Sequence, residues 1–226
     1  RGAHGRRGHR RFAPWLVMRI GLLTGGGDCP GLNAAIRAVV RRAHGHGIEV
    51  LGIRKGWRGL LEREAAPLSV DDVAGLLPRG GTILGTSRTN PYKDEASRAR
   101  LLAGIRELRI DAVVAVGGED TLGVAHRLHQ DGVLVVGVPK TIDNDIRGTD
   151  QTFGFDTAVA IASEAIDRLH TTAESHQRVM VVEVMGRHSG WIAVHAGIAG
   201  GADLILIPEQ STTIQEIVDT IKMRHE

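Results

Sequence analysis

The sequence predicts an α/β fold, doubly wound around a largely parallel sheet. Short apolar runs alternate with helical stretches along the whole chain: RIGLLT at 19–24, DAVVAV at 111–116 and VLVVGV at 133–138 are the clearest. The runs are continuously apolar, as strands covered on both faces require. The 30 glycines follow these runs instead of forming repeats, and so mark points of close backbone approach.

Composition sets the bounds. At 226 residues and 42% hydrophobic, the chain can bury a substantial core in one large domain or two modest ones. Cys29 is the one cysteine, which excludes an internal disulfide and fits a reducing cytosol. The formal net charge of +2 argues against a dedicated polyanion partner. No run reaches membrane-spanning length, so no membrane association and a cytoplasmic location are expected.

Residues 1–17 stand apart: their first eleven positions hold five arginines and no acid. A transit peptide or a nucleic-acid arm would share that bias. The segment lacks the serines and helical spacing of the former, and no nucleic-acid partner is expected. It reads as a disordered basic extension before a start at Met18.

The elements follow in order. The strand 19–24 runs into Gly25, Gly26, Gly27, Asp28, Cys29, Pro30 and Gly31, then into an amphipathic helix ending near Gly45. Strand, glycine loop and helix make a phosphate-binding layout, because glycine lets backbone amides approach an anion at a helix amino terminus. It is neither the dinucleotide fingerprint nor the P-loop pattern. A strand at 48–53 and a poorly periodic region to Pro78 come next. The stretch 79–88 is a second glycine and hydroxyl loop ending in Arg88, suited to a phosphate or to a plain surface turn.

A helix at 97–108 and the strand 111–116 lead to Gly117, Gly118, Glu119, Asp120 and Thr121. Carboxylates beside paired glycines suit magnesium, and Asp120 and Thr121 would alternatively cap a helix at 122–130. The run 133–145, VLVVGVPKTIDND, is a buried strand breaking into Pro139, Lys140, Thr141, Asp143 and Asp145. In an extended segment Asp143 and Asp145 share one side while Asn144 points away. One carboxylate then acts as a base beside the other, or the group is an Asx-rich turn. A long helix at 157–170 with Asp156 or Thr157 as its cap, a strand RVMVVEVMG at 178–186, a helix at 190–200, a strand ADLILIPE at 202–209 and a helix from Ser211–Thr213 complete the chain. Arg187, at the exit of the 178–186 run, is placed to clamp a phosphate bidentately. Four exits thus carry groups for phosphates, metal and proton transfer, which points to phosphoryl transfer or a related phosphosugar reaction.

The motifs LTGGGDCPGLNAAIR, GGTILGTSR, GGEDTLG, PKTIDNDI with GTD and TFGFDTA, SHQR and EVMGRHSGW together resemble the 6-phosphofructokinase family, over Met18 to Glu226. The resemblance implies two Rossmann-like domains: a phosphoryl-donor domain at 18–154 and a sugar-phosphate domain at 155–226, the second incomplete because the family continues further. It implies transfer of a phosphoryl group to the 1-hydroxyl of fructose 6-phosphate with Mg2+, in a homo-oligomer, dimeric or tetrameric when complete. By position, Asp143 is the implied base, Asp145 its companion and Thr141 a substrate and transition-state contact. Gly27 and Arg88 are implied donor contacts, and Glu119 the metal ligand. Arg178, Met185, Gly186 and Arg187 are implied sugar-phosphate contacts, Arg178 reaching into a neighbouring subunit. Asp120 stands where ATP-using members have glycine, and its charge would mimic and exclude the nucleotide's α-phosphate. With Lys140 stabilising the transferring group, the pair resembles the pyrophosphate-dependent branch. An ATP-dependent enzyme and a non-catalytic sugar-phosphate-binding fragment are the alternatives. Arg37 and Arg41 match effector arginines of the family, but His170 replaces a further one, so nucleotide activation is not expected.

Overall fold

The computed structural model describes residues 18–225, so the basic segment at 1–17 lies outside the described residues. Strands β1 (Arg19–Thr24), β2 (Glu49–Ile53), β3 (Ala65–Pro67), β4 (Ala112–Gly117), β5 (Leu134–Thr141) and β6 (Phe153–Gly154) form one sheet in the order β3-β2-β1-β4-β5-β6. All neighbours are parallel except β2 and β3. The chain moves outward from β1 to β2, then returns to β4 on the other side. That reversal makes the gap between the carboxyl ends of β1 and β4 the topological switch point, where open α/β sheets bind ligands.

Strands β1, β2 and β4 are largely buried, as their apolar runs require. Alternate residues of β1 feed separate cores: Leu22 packs with Leu32, Ile36 and Val40 of helix α1 (Leu32–His44) and with Val73, Leu76 and Leu84. Leu23 packs with Trp57 and Leu60 of α2 (Trp57–Glu62), Leu101 and Ile105 of α3 (Glu95–Glu107), and Val124 and Leu128 of α4 (Glu119–Gln130). Strand β5, expected to be buried, is instead largely exposed: α4 packs on it, while Leu134 and Val136 stand 61% and 59% exposed and Lys140 is its buried residue. Beyond β6, α5 (Phe155–His176) packs on α6 (Trp191–Ala199) around buried Phe155, Ile192 and Ala196, and α7 (Ile214–His225) closes the described chain. Among the described residues no helix is long and apolar enough to cross a membrane.

Several elements differ from the sequence reading. The runs at 178–186 and 202–209 form neither strand nor helix. A strand exists only where a neighbour supplies a ladder, and the sheet ends at β6, leaving Val179, Val181, Leu204 and Leu206 exposed. α2 and β3 fall in the region read as aperiodic, being too short to show a period. α4 starts at Glu119 with Gly118 as its cap residue, so neither Asp120 nor Thr121 caps it. α5 starts at Phe155 after Gly154, so Asp156 and Thr157 are not caps, and Asp156 instead accepts from Gln151 Nε2 at 2.6 Å. The start of α7 is as expected: Glu216 N–H bonds to Thr213 Oγ1 at 3.2 Å while Thr213 N–H bonds to Glu216 Oε2 at 2.7 Å, a reciprocal capping box.

Candidate active site

The switch point is built from two glycine loops pressed together. The Gly25 N–H donates to the Val116 carbonyl at 2.9 Å, joining the exits of β1 and β4. Thr121, 4% exposed, sits between them: a Cβ on Gly25 would lie 2.5 Å from its Oγ1, and one on Gly117 would lie 2.4 Å from its Cβ. Glycine is therefore required on both sides of this side chain. Around Gly27, by contrast, a Cβ would meet nothing within 4 Å, so the loop's tip is open to a ligand. Glu119 and Asp120 stand exposed in the first turn of α4, where helix polarity favours negative charge.

Lys140 reaches this loop from β5. Its side chain is buried, and its ammonium donates to the Gly27 carbonyl at 2.5 Å. Cys29 lies beneath the same loop, its Sγ 3.4 Å from the Phe153 carbonyl. Burial pushes the Cys29 thiol up to about 11, against the pull of Lys140, so it stays protonated and unreactive.

The second glycine and hydroxyl loop docks on the first. Thr86 Oγ1 donates to the Gly26 carbonyl, and the Gly26 N–H donates to the Ser87 carbonyl at 3.3 Å. Thr24 Oγ1 lies 2.8 Å from Thr82 Oγ1 and donates to the Gly85 carbonyl at 2.9 Å. Buried Asn33 of α1 ties down the loop's entry through the Arg79 and Gly80 carbonyls, at 3.0 and 3.1 Å, and the Ile83 N–H, at 2.9 Å. Arg88 is exposed one residue beyond the Ser87 contact, on the rim beside Gly26.

Asp143 stands two residues beyond the end of β5. Its N–H donates to Thr141 Oγ1 at 3.2 Å and its carbonyl accepts from Ser189 Oγ at 2.8 Å. Its carboxyl is half-buried, and Oδ1 is buried with no hydrogen-bond partner. Burial, followed by the neighbouring Asp145 charge, pushes this carboxyl above its ordinary value, opposed by Arg187 and Lys140. The extended geometry expected here is not found. Asn144 is left-handed at φ 52°, and its Oδ1 turns back to accept the Thr152 N–H at 3.0 Å. Asp143 and Asp145 thus sit in different surroundings, one half-buried and one exposed, yet remain electrostatically coupled.

Arg187 is left-handed at φ 56°, after Gly186 at φ 155°, in a turn closed by the Ser189 N–H to the Gly186 carbonyl at 2.9 Å. This turn brings Arg187 within the field of Asp143. Met185 is exposed, and Arg178 is exposed at the end of α5 with its N–H on the Ala173 carbonyl at 3.0 Å. Arg178 shares no hydrogen bond with the other candidate residues among the described ones. Thr121, Ser189 and Asn144 escaped the sequence reading as structural members of the site; each lies inside a quoted motif, which is the signal that would have found them. Two surface concavities, of about 370 and 340 Å³, contain none of the candidate residues, so convergence of polar groups defines the site.

Fold and geometry together define an open α/β protein whose cations, carboxylates and glycine loops meet at the switch point of its sheet. The chain belongs to the phosphofructokinase family: the family profile for Phosphofructokinase matches residues 19–226. It is 62% identical over 210 residues to a pyrophosphate–fructose 6-phosphate 1-phosphotransferase of Amycolatopsis methanolica, covering 92% of this chain and 62% of that one. It is 58% identical over 210 residues to ATP-dependent 6-phosphofructokinase 3 of Streptomyces coelicolor, covering 92% and 61%. The solved phosphofructokinase of Saccharomyces cerevisiae superposes with a TM-score of 0.81 at 36% identity, covering 92% of this chain and 32% of that one. The chain thus spans about three-fifths of the length of the two bacterial relatives.

Proposed function

We propose that this chain serves reversible phosphoryl transfer between pyrophosphate and the 1-hydroxyl of fructose 6-phosphate, in a cytoplasmic homo-oligomer, with residues 18–154 holding the donor and 155–226 contributing to the sugar-phosphate side. The observation that carries the chemistry is Asp143. A half-buried carboxylate with one unpartnered buried oxygen, facing Arg187 and Lys140, is suited to accept a proton from a substrate hydroxyl.

In this reading the sugar 1-hydroxyl oxygen forms a bond to one phosphorus of pyrophosphate, and the bridging P–O bond breaks. The bridging oxygen keeps the electron pair and departs in inorganic phosphate, while Asp143 takes the hydroxyl proton. Asp145 keeps Asp143 basic, and Thr141 offers its hydroxyl to the transferring group. Gly27 and Arg88 hold donor oxygens, and Lys140, poised at the Gly27 carbonyl, compensates the charge that builds up on them. Arg187, with Met185 and Gly186, holds the sugar phosphate, and exposed Arg178 reaches a neighbouring subunit's site. The exposed carboxylates at the start of α4 fit Mg2+, which takes one or two carboxylates and otherwise water and phosphate oxygens, and Glu119 is assigned as the ligand. When bound, the ion neutralises charge on the donor phosphates.

The pyrophosphate reading rests on Asp120, whose exposed carboxylate beside the glycine loops repels a bulkier anionic donor, and on relatives bearing that activity's name. ATP is the second reading, favoured by the ATP-dependent relative at 58% identity. Asp143→Asn tests the core of the proposal, and unchanged turnover would remove Asp143 from the role of base.

A further inference from the structure

The loop that presents Arg88 is held from two sides, and the second hold is a polar cluster with no role in the chemistry above. On the first side, Ser87 Oγ donates to the Lys55 carbonyl at 2.6 Å, adding to the Ser87 contact with Gly26. On the second, Asn90 Oδ1 accepts the Tyr92 N–H at 2.9 Å and starts a short helical turn, Pro91–Lys93. The Tyr92 hydroxyl then donates to Asp131 Oδ2 at 2.7 Å.

Asp131 is the centre of this cluster. Arg98 of α3 donates to it twice, from Nε at 3.0 Å and from Nη2 at 2.6 Å, and Arg98 Nη1 also reaches Glu95 at 2.9 Å. The Asp131 side chain is only 14% exposed, and the Arg127 guanidinium lies 5.8 Å from the centre of the Tyr92 ring. Forked, charge-assisted bonds of this kind fix direction as well as distance. Burial, helped by Asp131, raises the Tyr92 phenol, which keeps it the donor in its bond.

What gives the cluster a consequence is where Asp131 stands. It is the residue that ends α4, and the first turn of the same helix carries Glu119 and Asp120. A helix of 12 residues is a stiff rod of roughly 18 Å. Arg88 is therefore tied through the turn and Tyr92 to one end of this rod, and the two carboxylates ride on the other.

We infer that Tyr92 and Asp131 are positioning residues for the donor site, fixing the Arg88 cation relative to Glu119 and Asp120. The inference rests on the donor-site reading above for its effect on binding, and on geometry alone for its effect on the loop. Neither residue touches the donor.

The test uses the whole chain with Tyr92→Phe, Asp131→Asn, Arg88→Ala and Tyr92→Phe combined with Arg88→Ala. Amide hydrogen exchange reports the loop, and calorimetric titration with magnesium pyrophosphate and separately with fructose 6-phosphate reports binding. Tyr92→Phe keeps the Arg98 to Asp131 pair, so it leaves the fold intact. It is expected to speed exchange at 86–90 and to weaken pyrophosphate binding by roughly ten-fold, the loss expected for a charged hydrogen bond. Fructose 6-phosphate binding is expected to stay the same, and Tyr92→Phe is expected to add little to Arg88→Ala. Asp131→Asn should give the same pattern more strongly. Unchanged exchange at 86–90, or losses of donor affinity that simply multiply between Tyr92→Phe and Arg88→Ala, would overturn the inference. Failure of the unsubstituted chain to bind pyrophosphate, with faster exchange in Tyr92→Phe, would instead sink the donor reading and leave the clamp on the loop standing.

Discussion

Replacing Gly25 with alanine tests whether Thr121 sets the spacing of the two glycine loops. The new Cβ would lie 2.5 Å from Thr121 Oγ1, 2.9 Å from Cγ2 and 3.3 Å from Cβ. Thr121 has little room to retreat, because on its other side it already packs against the backbone of Gly117, so closely that a side chain there would lie 2.4 Å from its Cβ. Overpacking of this kind costs about 1–3 kcal/mol. For a chain of this size a loss of about 2 kcal/mol lowers Tm by roughly 4–8 °C. Thr121→Ala removes Oγ1 and Cγ2 and leaves only the 3.3 Å approach, so the double substitution should recover much of the loss. Urea unfolding of the four proteins gives the coupling directly, expected at about 1–2 kcal/mol in the favourable direction. Additivity within about 0.5 kcal/mol would refute the wedge, since residues that do not meet show no larger coupling.

The remaining predictions concern the chemistry. Asp143→Asn should lower kcat by roughly 10²- to 10⁴-fold, the range for loss of a general base, with substrate binding retained in calorimetry. It should also raise Tm near neutral pH: the folded state raises this carboxyl above its unfolded value, so holding it ionised costs stability above its folded pKa, and asparagine removes that cost. Asp145→Asn removes a charge that raises Asp143, so the acid limb of the rate profile should move to lower pH. Arg187→Met removes one that lowers Asp143, so the limb should move to higher pH; the pH dependence of kcat/KM checks both signs. Asp120→Gly should improve the use of ATP and impair that of pyrophosphate, read as the ratio of kcat/KM for the two donors.

The parts of this protein that its sequence reveals are those whose physics is local. An apolar run ending in glycine and polar residues identifies a strand and its exit wherever it falls, so β1, β4 and β5 and the groups beyond them were all legible. The exits at Gly27, Glu119 and Lys140 converge because the order of strands brings β1, β4 and β5 side by side. The runs at 178–186 and 202–209 look equally strand-like, but a strand is a property of a pair, and no partner lies beside them among the described residues. Asn144 misled for a different reason: alternation of side chains assumes extended backbone, and asparagine is among the few residues that adopt the left-handed conformation readily. The clamp of Tyr92 on Asp131 spans 39 residues, and Thr121 acts on Gly25 from another strand exit. Such contacts carry no signature of spacing and become visible only once the sheet has assembled.

The most direct test of the central claim is a donor competition followed by phosphorus NMR, with this chain, fructose 6-phosphate, magnesium and equal amounts of pyrophosphate and ATP. The pyrophosphate signal should fall as inorganic phosphate and fructose 1,6-bisphosphate appear, while ATP stays constant. Consumption of ATP with pyrophosphate untouched would contradict that claim.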